Sequence, residues 1–274
     1  MRNDRSPSGD TGFDQPSAAR MYDYYLGGHH HVASDRQVAE AAISANPDVP
    51  LIARANRAFL RRVVTFLSAQ GIDQFLDIGS GIPTVGNVHA VAHGMNPAAR
   101  VVYVDHDPIA VAHSRALLQD LHTVTAIHGD IRQPEQILTD PQARQVLDWG
   151  KPIAVLLAIL HFVADDAEAD HSVRVLRDAL VPGSYLAISH GTQEERPPEL
   201  YQQVRQVYAR SPTPLISRTR TQITHFFAGF ALVPPGLVFV PVWRPEGRDD
   251  LLLDEPWRAA FLGGVGRKAE VMQH

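Results

Sequence analysis

The 274-residue chain contains no cysteine. That excludes disulfide scaffolds, thiol catalysis, zinc–thiolate sites and iron–sulfur clusters. It has no stretch approaching the ~18–20 uninterrupted apolar residues of a membrane span. The opening residues MRNDRSPSGDTGFDQPS mix charges with turn formers and lack the apolar core of a secretory signal. Positive charge is in short supply too: 25 Lys and Arg stand against 30 Asp and Glu, a formal charge of −5. That balance argues against a protein held mainly by nucleic-acid phosphates. No internal repeat is visible. What remains, with 45% hydrophobic and 20% charged residues, is ordinary globular composition. The expectation is a cytoplasmic protein with a small-molecule partner and neither membrane nor nucleic acid; the oligomeric state is left open.

Residues 1–15 read as a flexible tail, 16–70 as an N-terminal helical cap or lid, 71–268 as the core and 269–274 as a second tail. Within the cap, Ser17 to Ala45 is helical in pattern but interrupted at Gly27-Gly28-His29-His30-His31. Leu51 to Gln70 repeats apolar residues every three or four positions, at Leu51, Ile52, Ala55, Phe59, Leu60, Val63, Val64 and Leu67, the mark of one buried helix face. Gly71 ends it. Short apolar runs then follow at 75–78, 101–105, 123–127, 153–159 and 184–189, separated by helical patterns at 85–93, 109–121, 134–147 and 166–180. This alternation argues for right-handed βαβ units, hence an α/β protein with a parallel sheet covered on both faces. Near the end, Phe230–Val233 and Leu237–Trp243 flank Pro234-Pro235-Gly236 and read as an antiparallel hairpin.

The most informative residues are Asp77-Ile78-Gly79-Ser80-Gly81, directly after the first strand. Glycine is needed where backbone turns sharply and approaches a ligand without a Cβ in the way. Asp105 ends the second strand, near the offset at which an acid meets ribose hydroxyls in doubly wound folds; its carboxylate can accept two hydrogen bonds from a cis-diol. Asp130 follows the third strand. The dinucleotide loop G-x-G-x-x-G is not reproduced: Gly81 is followed by Ile82-Pro83-Thr84-Val85-Gly86, with a proline where a pyrophosphate needs free N–H donors. An acid-rich pocket suits a cationic, phosphate-free nucleoside, S-adenosylmethionine, better than NAD.

On these residues the chain resembles the class I S-adenosylmethionine-dependent methyltransferases. More narrowly it resembles the actinobacterial S-adenosyl methyltransferase family, long catalogued as a domain of unknown function. The matching text is Arg20–Gly28, Asn56–Leu60, Gln74–Gly81 with Pro83-Thr84, Asn87-Val88-His89, Val101–Pro108, Gly183–His190 and Gly264–Lys268. The resemblance implies a Rossmann-like, mostly parallel seven-stranded sheet of order 3-2-1-4-5-7-6. It further implies Asp77, Gly79 and Gly81 along the methionine moiety, Asp105 on the ribose, and Asp130 with Ile131 at the adenine. Ser80, His106 and Ala158 complete the expected cofactor wall. The chain departs from the family in one place: His29-His30-His31 stands where a Lys-Asp-Asn type segment is usual.

Methyl transfer needs position, exclusion of water and, for a protonated acceptor, a base. His161, after the fourth strand, and His190, after the fifth, are the candidate catalytic residues; a histidine that merely caps a strand end is the alternative for each. Tyr22, with Tyr24 and Tyr25, forms a candidate lid whose rings attract a sulfonium, or else packs an amphipathic helix. Gly28, beside Gly27, would be its hinge. Arg57 is placed to pair with the cofactor carboxylate, against the reading of a surface arginine. His89 and His93 sit at i, i+4, but no H-E-x-x-H surrounds them, and no metal site is assigned. Two competing functions remain: a non-catalytic S-adenosylmethionine sensor or partner protein, and a nicotinamide dehydrogenase, which Asp77 and the missing third glycine disfavour.

Overall fold

The computed structural model describes residues 15–83, 86–209, 215–247 and 250–269; both expected tails, apart from Gln15 and Ala269, and Thr84 and Val85 lie outside them. Three helices open the described chain: α1 (Ala18–Tyr25), α2 (Ala33–Ala45) and α3 (Val49–Ala69). Strands and helices then alternate as β1 (Gln74–Ile78), α4 (Val88–Met95), β2 (Arg100–Asp105), α5 (Pro108–Leu118) and β3 (Val124–His128). They continue as α6 (Pro134–Thr139), α7 (Pro141–Val146), β4 (Ala154–Leu157), α8 (Asp166–Ala179) and β5 (Tyr185–Gly191). The chain finishes with α9 (Pro198–Tyr208), α10 (Arg220–His225), β6 (Phe230–Leu232), β7 (Val238–Phe239) and β8 (Phe261–Lys268). The helix expected over 134–147 is broken in two. Pro141 cannot continue the first half, and the Asp140 carboxylate accepts from Gln142 and Ala143 N–H to start the second.

The sheet order is β3-β2-β1-β4-β5-β8-β6, with β7 also paired to β8. β1 to β5 are parallel and β8 runs antiparallel to β5. The expected hairpin across Pro234-Pro235-Gly236 is not formed. β6 and β7 do not pair with each other; both lie along β8, at Gly266–Lys268 and at Leu262–Gly263. They are two pieces of one antiparallel strand interrupted by the proline turn. With those pieces counted as one, the order is that of seven strands, 3-2-1-4-5-7-6.

Strand alternation decides what each face meets. Leu76, Ile78, Val102, Val104, Val155 and Leu157 join a core closed by α6, α7, α8 and α10. Phe75, Val101, Tyr103, Ala154 and Leu156 join a second core closed by α3 and α4. Burial on both sides explains why the central strands are continuously apolar rather than alternating. Gly263 lets α3 approach: a Cβ there would sit 2.7 Å from the Phe59 ring. Each fully buried large side chain contributes roughly 1.5–3 kcal/mol.

A third cluster separates the cap from this scaffold. Met21 and Tyr25 of α1, Ala39 and Ala42 of α2, Val49 and Ala53 of α3, and Val204 and Tyr208 of α9 pack together. α3 therefore serves two masters, its first turns in the cap and its remainder on the sheet. α9, from far outside residues 16–70, completes the cap. Arg20 of α1 is buried and pairs with Asp35 at 2.7 Å, while Ser17 Oγ donates to Asp107 at 2.6 Å. The first ties α1 to α2 within the cap, and the second fastens the cap to the loop after β2.

Candidate functional site

A large cavity opens at the carboxyl edge of the sheet, beneath α1, α3 and α9, where open α/β sheets bind ligands. Its empty space is about 1440 Å³ with the open mouth included.

The turn after β1 forms the floor of one end. Gly79 has φ +74°, and a Cβ there would lie 2.5 Å from Ile159; only glycine fits. Gly79 and Ser80 N–H both donate to Val104 O, at 2.8 and 3.1 Å, and Gly81 N–H donates to Asp105 Oδ2 at 2.7 Å. The turn is thus locked onto the end of β2. The other carboxylate oxygen of Asp105 accepts from Asp107 N–H at 2.9 Å. A carboxylate offers about four acceptor positions, so Asp105 keeps capacity for a diol.

Asp77 follows from the same alternation. It shares the face of Phe75, which puts it toward α3 and Arg57. Its carboxylate is 3% exposed and has no hydrogen-bond partner among the described residues. Burial pushes its pKa up to about 7, opposed by Arg57 and reinforced by Asp105. Arg57 lies over the Tyr22 ring, 5.4 Å from its centre, and its Nε is enclosed without a partner, as is Asn56 Oδ1. Tyr22 is held by its own hydroxyl, which donates to Ala53 O at 3.0 Å.

Asp77, Gly79, Ser80, Gly81, Asp105, His106, Ala158, Tyr22, Arg57 and His161 all line the one cavity. Gly28, Asp130, Ile131 and His190 do not. Gly28 packs on Asp23, whose carboxylate would collide with any Cβ there. The Asp130 carboxylate is occupied by Arg132, and Ile131 is in the core with Ile137.

The catalytic expectation for His190 is corrected by its bonds. Arg218 can only donate, so His190 Nε2 accepts from it, at 2.8 Å, and the ring proton on Nδ1 goes to Gly191 O at 2.9 Å. Both nitrogens are spent on structure, and burial moves the pKa down to about 4. His161 differs. It faces the cavity, its Nδ1 is enclosed without a partner, and burial, with His190 and Arg218 behind it, drops its pKa well below the usual histidine value. It is a neutral imidazole at pH 7.

Four histidines of the clusters noted in the sequence make local contacts. His89 Nδ1 meets the Tyr103 hydroxyl at 2.9 Å and His93 Nε2 meets Ala99 O at 2.9 Å. His30 N–H donates to Asp23 at 2.8 Å and His31 packs on the Tyr24 ring. Among the described residues no three or more metal-ligating side chains gather. Of the expected lid tyrosines Tyr22 and Tyr25 line the cavity and Tyr24 does not; missing from the expected set were Asn56, Tyr208, Thr192 and Arg196, all in the cavity wall. Only Asn56, beside Arg57, and the i, i+4 pair Val204 and Tyr208 left any trace in the sequence.

The S-adenosyl methyltransferase family matches residues 5–269. The chain belongs to that family. It is a methyltransferase fold that uses S-adenosylmethionine. A candidate methyltransferase structure from Thermobifida fusca is 38% identical over 96% of this chain and 100% of its own, with a TM-score of 0.88. A DUF574 family protein from Streptomyces avermitilis is 39% identical over 93% of this chain and 98% of its own, TM-score 0.87. The N-methyltransferase NodS of Bradyrhizobium japonicum, in complex with S-adenosylhomocysteine, is 14% identical at TM-score 0.50 over 92% of this chain and all of its own; it speaks to the fold alone. Trans-aconitate 2-methyltransferase of Escherichia coli is 35% identical over 111 residues, 40% of this chain and 37% of the relative.

The wall chemistry fits the cofactor. It pairs a buried carboxylate without a hydrogen-bond partner among the described residues at Asp77, a diol acceptor at Asp105 and an arginine with an unmet donor at Arg57.

Proposed function

We propose that the protein transfers a methyl group to a small-molecule acceptor bound in the cavity half that lies beyond the glycine turn. When bound, S-adenosylmethionine supplies an electrophilic methyl, which leaves the sulfonium for an attacking lone pair. The chain's own residues do the rest. Asp77 faces the ammonium group, Asp105 holds the ribose diol, and Arg57 takes the carboxylate. Gly79 to Gly81 let the backbone approach, and Tyr22 covers the site. His161, neutral and in the cavity wall, is the group available to orient the acceptor or receive its proton. The cap excludes water from the reacting atoms.

The observation that supports this reading most is the convergence of Asp77, Asp105 and Arg57 on one cavity at a glycine turn. The cytoplasm is the proposed place of work, since an ATP-derived donor is made there, and neither nucleic acid nor membrane is a proposed partner. Calorimetry tests the reading. S-adenosylmethionine and S-adenosylhomocysteine are expected to bind at micromolar concentration and NAD is not. A chain that binds NAD in preference to either would refute it. Binding without turnover on any acceptor would favour the sensor alternative.

A further inference from the structure

Charge is divided along the cavity. Among the described residues the only carboxylates in its wall are Asp77 and Asp105, both at the glycine-turn end. Arg196 stands in the wall between the end of β5 and the start of α9. Its side chain makes no hydrogen bond or ion pair with any described residue, and its Nε is enclosed without a partner. Asp48 is the acid that acts on it electrostatically. Each Asp48 oxygen accepts from Arg258, at 2.7 and 3.0 Å, and neither bonds Arg196. A partly buried guanidinium with unmet donors is unfavourable unless something fills its fork.

The cavity wall also holds apolar and phenolic side chains, among them Val49, Ile52, Phe162, Val204 and Tyr201, beside the polar Asn46, Thr192 and Ser217. Tyr25 and Tyr208 also line it, their hydroxyls 3.2 Å apart. One hydroxyl donates to the other, so a single phenolic proton stays available. Burial holds both phenols protonated. This end therefore offers donors, apolar surface and a guanidinium without a hydrogen-bond partner among the described residues.

We infer that the methyl acceptor is an amphiphilic carboxylic acid, with its apolar body against the tyrosines and aliphatic side chains and its carboxylate in the fork of Arg196. A single guanidinium matches a planar, singly charged carboxylate; a phosphomonoester, with nearly two charges, calls for more cations than this end holds. The inference rests on the methyltransferase reading of the same cavity and names the class of its second substrate. Arg196 is a binding residue for the anchor group, whichever atom of the acceptor is methylated.

The test uses the full chain saturated with S-adenosylhomocysteine. Calorimetry compares 4-coumarate, 3-phenylpropionate and decanoate with their primary amides. At least one acid is expected to bind at least tenfold more tightly than its amide. R196Q is expected to remove that preference, and R196K to keep part of it. Both variants should hold S-adenosylhomocysteine within twofold of the parent and unfold at the same temperature. Amides that bind as well as acids, R196Q that binds acids undiminished, or a loaded parent that binds none of the acids would each overturn the inference and leave the methyltransferase reading standing. Failure of S-adenosylhomocysteine to bind the parent would instead remove that reading.

Discussion

At the glycine-turn end of the cavity, most of the wall comes from strands and their ends, Asp77 in β1, Gly79 to Gly81 after it, Asp105 at the end of β2 and Ala158 after β4, with Arg57 and Tyr22 added from α3 and α1. At the other end, Arg196 comes from a loop, and Tyr25 and Tyr208 meet from helices 183 residues apart. The first end is fixed by sheet register, because parallel strands in register deliver their carboxyl termini to one edge. The second is fixed only by how α1, α2, α3 and α9 pack on one another. One end is therefore scaffold and the other is cap. Substitutions at the two ends should separate donor binding from acceptor binding.

The sharpest separation is expected from Asp105→Ala. Removing the charged acceptor should weaken S-adenosylmethionine more than tenfold, in the ~1.5–3 kcal/mol range of a hydrogen bond to a charged group, with acid binding to the cap end unaffected. Unchanged donor affinity in a folded variant would cancel the ribose assignment. Asp77→Asn comes next, and its signature lies in pH. The folded carboxyl titrates at about 7, against 3.8 ordinarily, so the free protein favours the protonated form, whereas a bound ammonium favours the ionised one. Donor affinity should therefore rise roughly fivefold from pH 6 to pH 7 as the carboxylate forms, and the Asn variant should show no such rise. The same offset has a stability sign. The folded state holds the proton more tightly than the unfolded chain, so the protein loses stability as pH climbs from about 4 to about 7. Thermal melts should then find Asp77→Asn above the parent at pH 8 and level with it below pH 4. Equal melting temperatures at pH 8 would mean that Asp77 is ionised without cost.

Smaller effects sharpen the border between the ends. His161→Ala should leave donor affinity within twofold while slowing transfer. In the parent, the His161 ring resonance should stay flat from pH 6 to pH 8, because its pKa lies well below the usual value. A titration near 6.5 would mean that the ring is reached by water and is not enclosed. Tyr22→Phe should matter least. It removes one hydrogen bond to Ala53 O, worth ~1 kcal/mol, and keeps the ring under Arg57; a larger loss of donor affinity would show that the hydroxyl itself contacts the donor.

Much of the scaffold could be read from pattern. Continuous apolar runs located the five parallel strands, three of them closed by glycine or acid, since strands buried on both faces leave no room for polar alternation. The hairpin reading failed because Pro234-Pro235-Gly236 marks a turn without naming the partner. β8 supplies the pairing edge from residues 261–268, a separation that local signals do not report. The helix over 134–147 split because Asp140-Pro141 is as good a start as an interruption. His190 was misplaced for a similar reason: its address after β5 suggested the cavity, whereas Arg218 and Gly191 hold its ring in the protein's interior.

The amino-acid order alone determined the α/β alternation, the glycine turn and the acids that follow it, because these depend on neighbours in the chain and on the period of a strand. Tertiary structure alone decided which histidine faces the cavity, that Asp77 is buried beside Arg57, and that the Arg196 side chain has no hydrogen-bond partner among the described residues. Those are facts of burial and charge balance. They depend on groups brought together from distant segments, and no local run of residues encodes them.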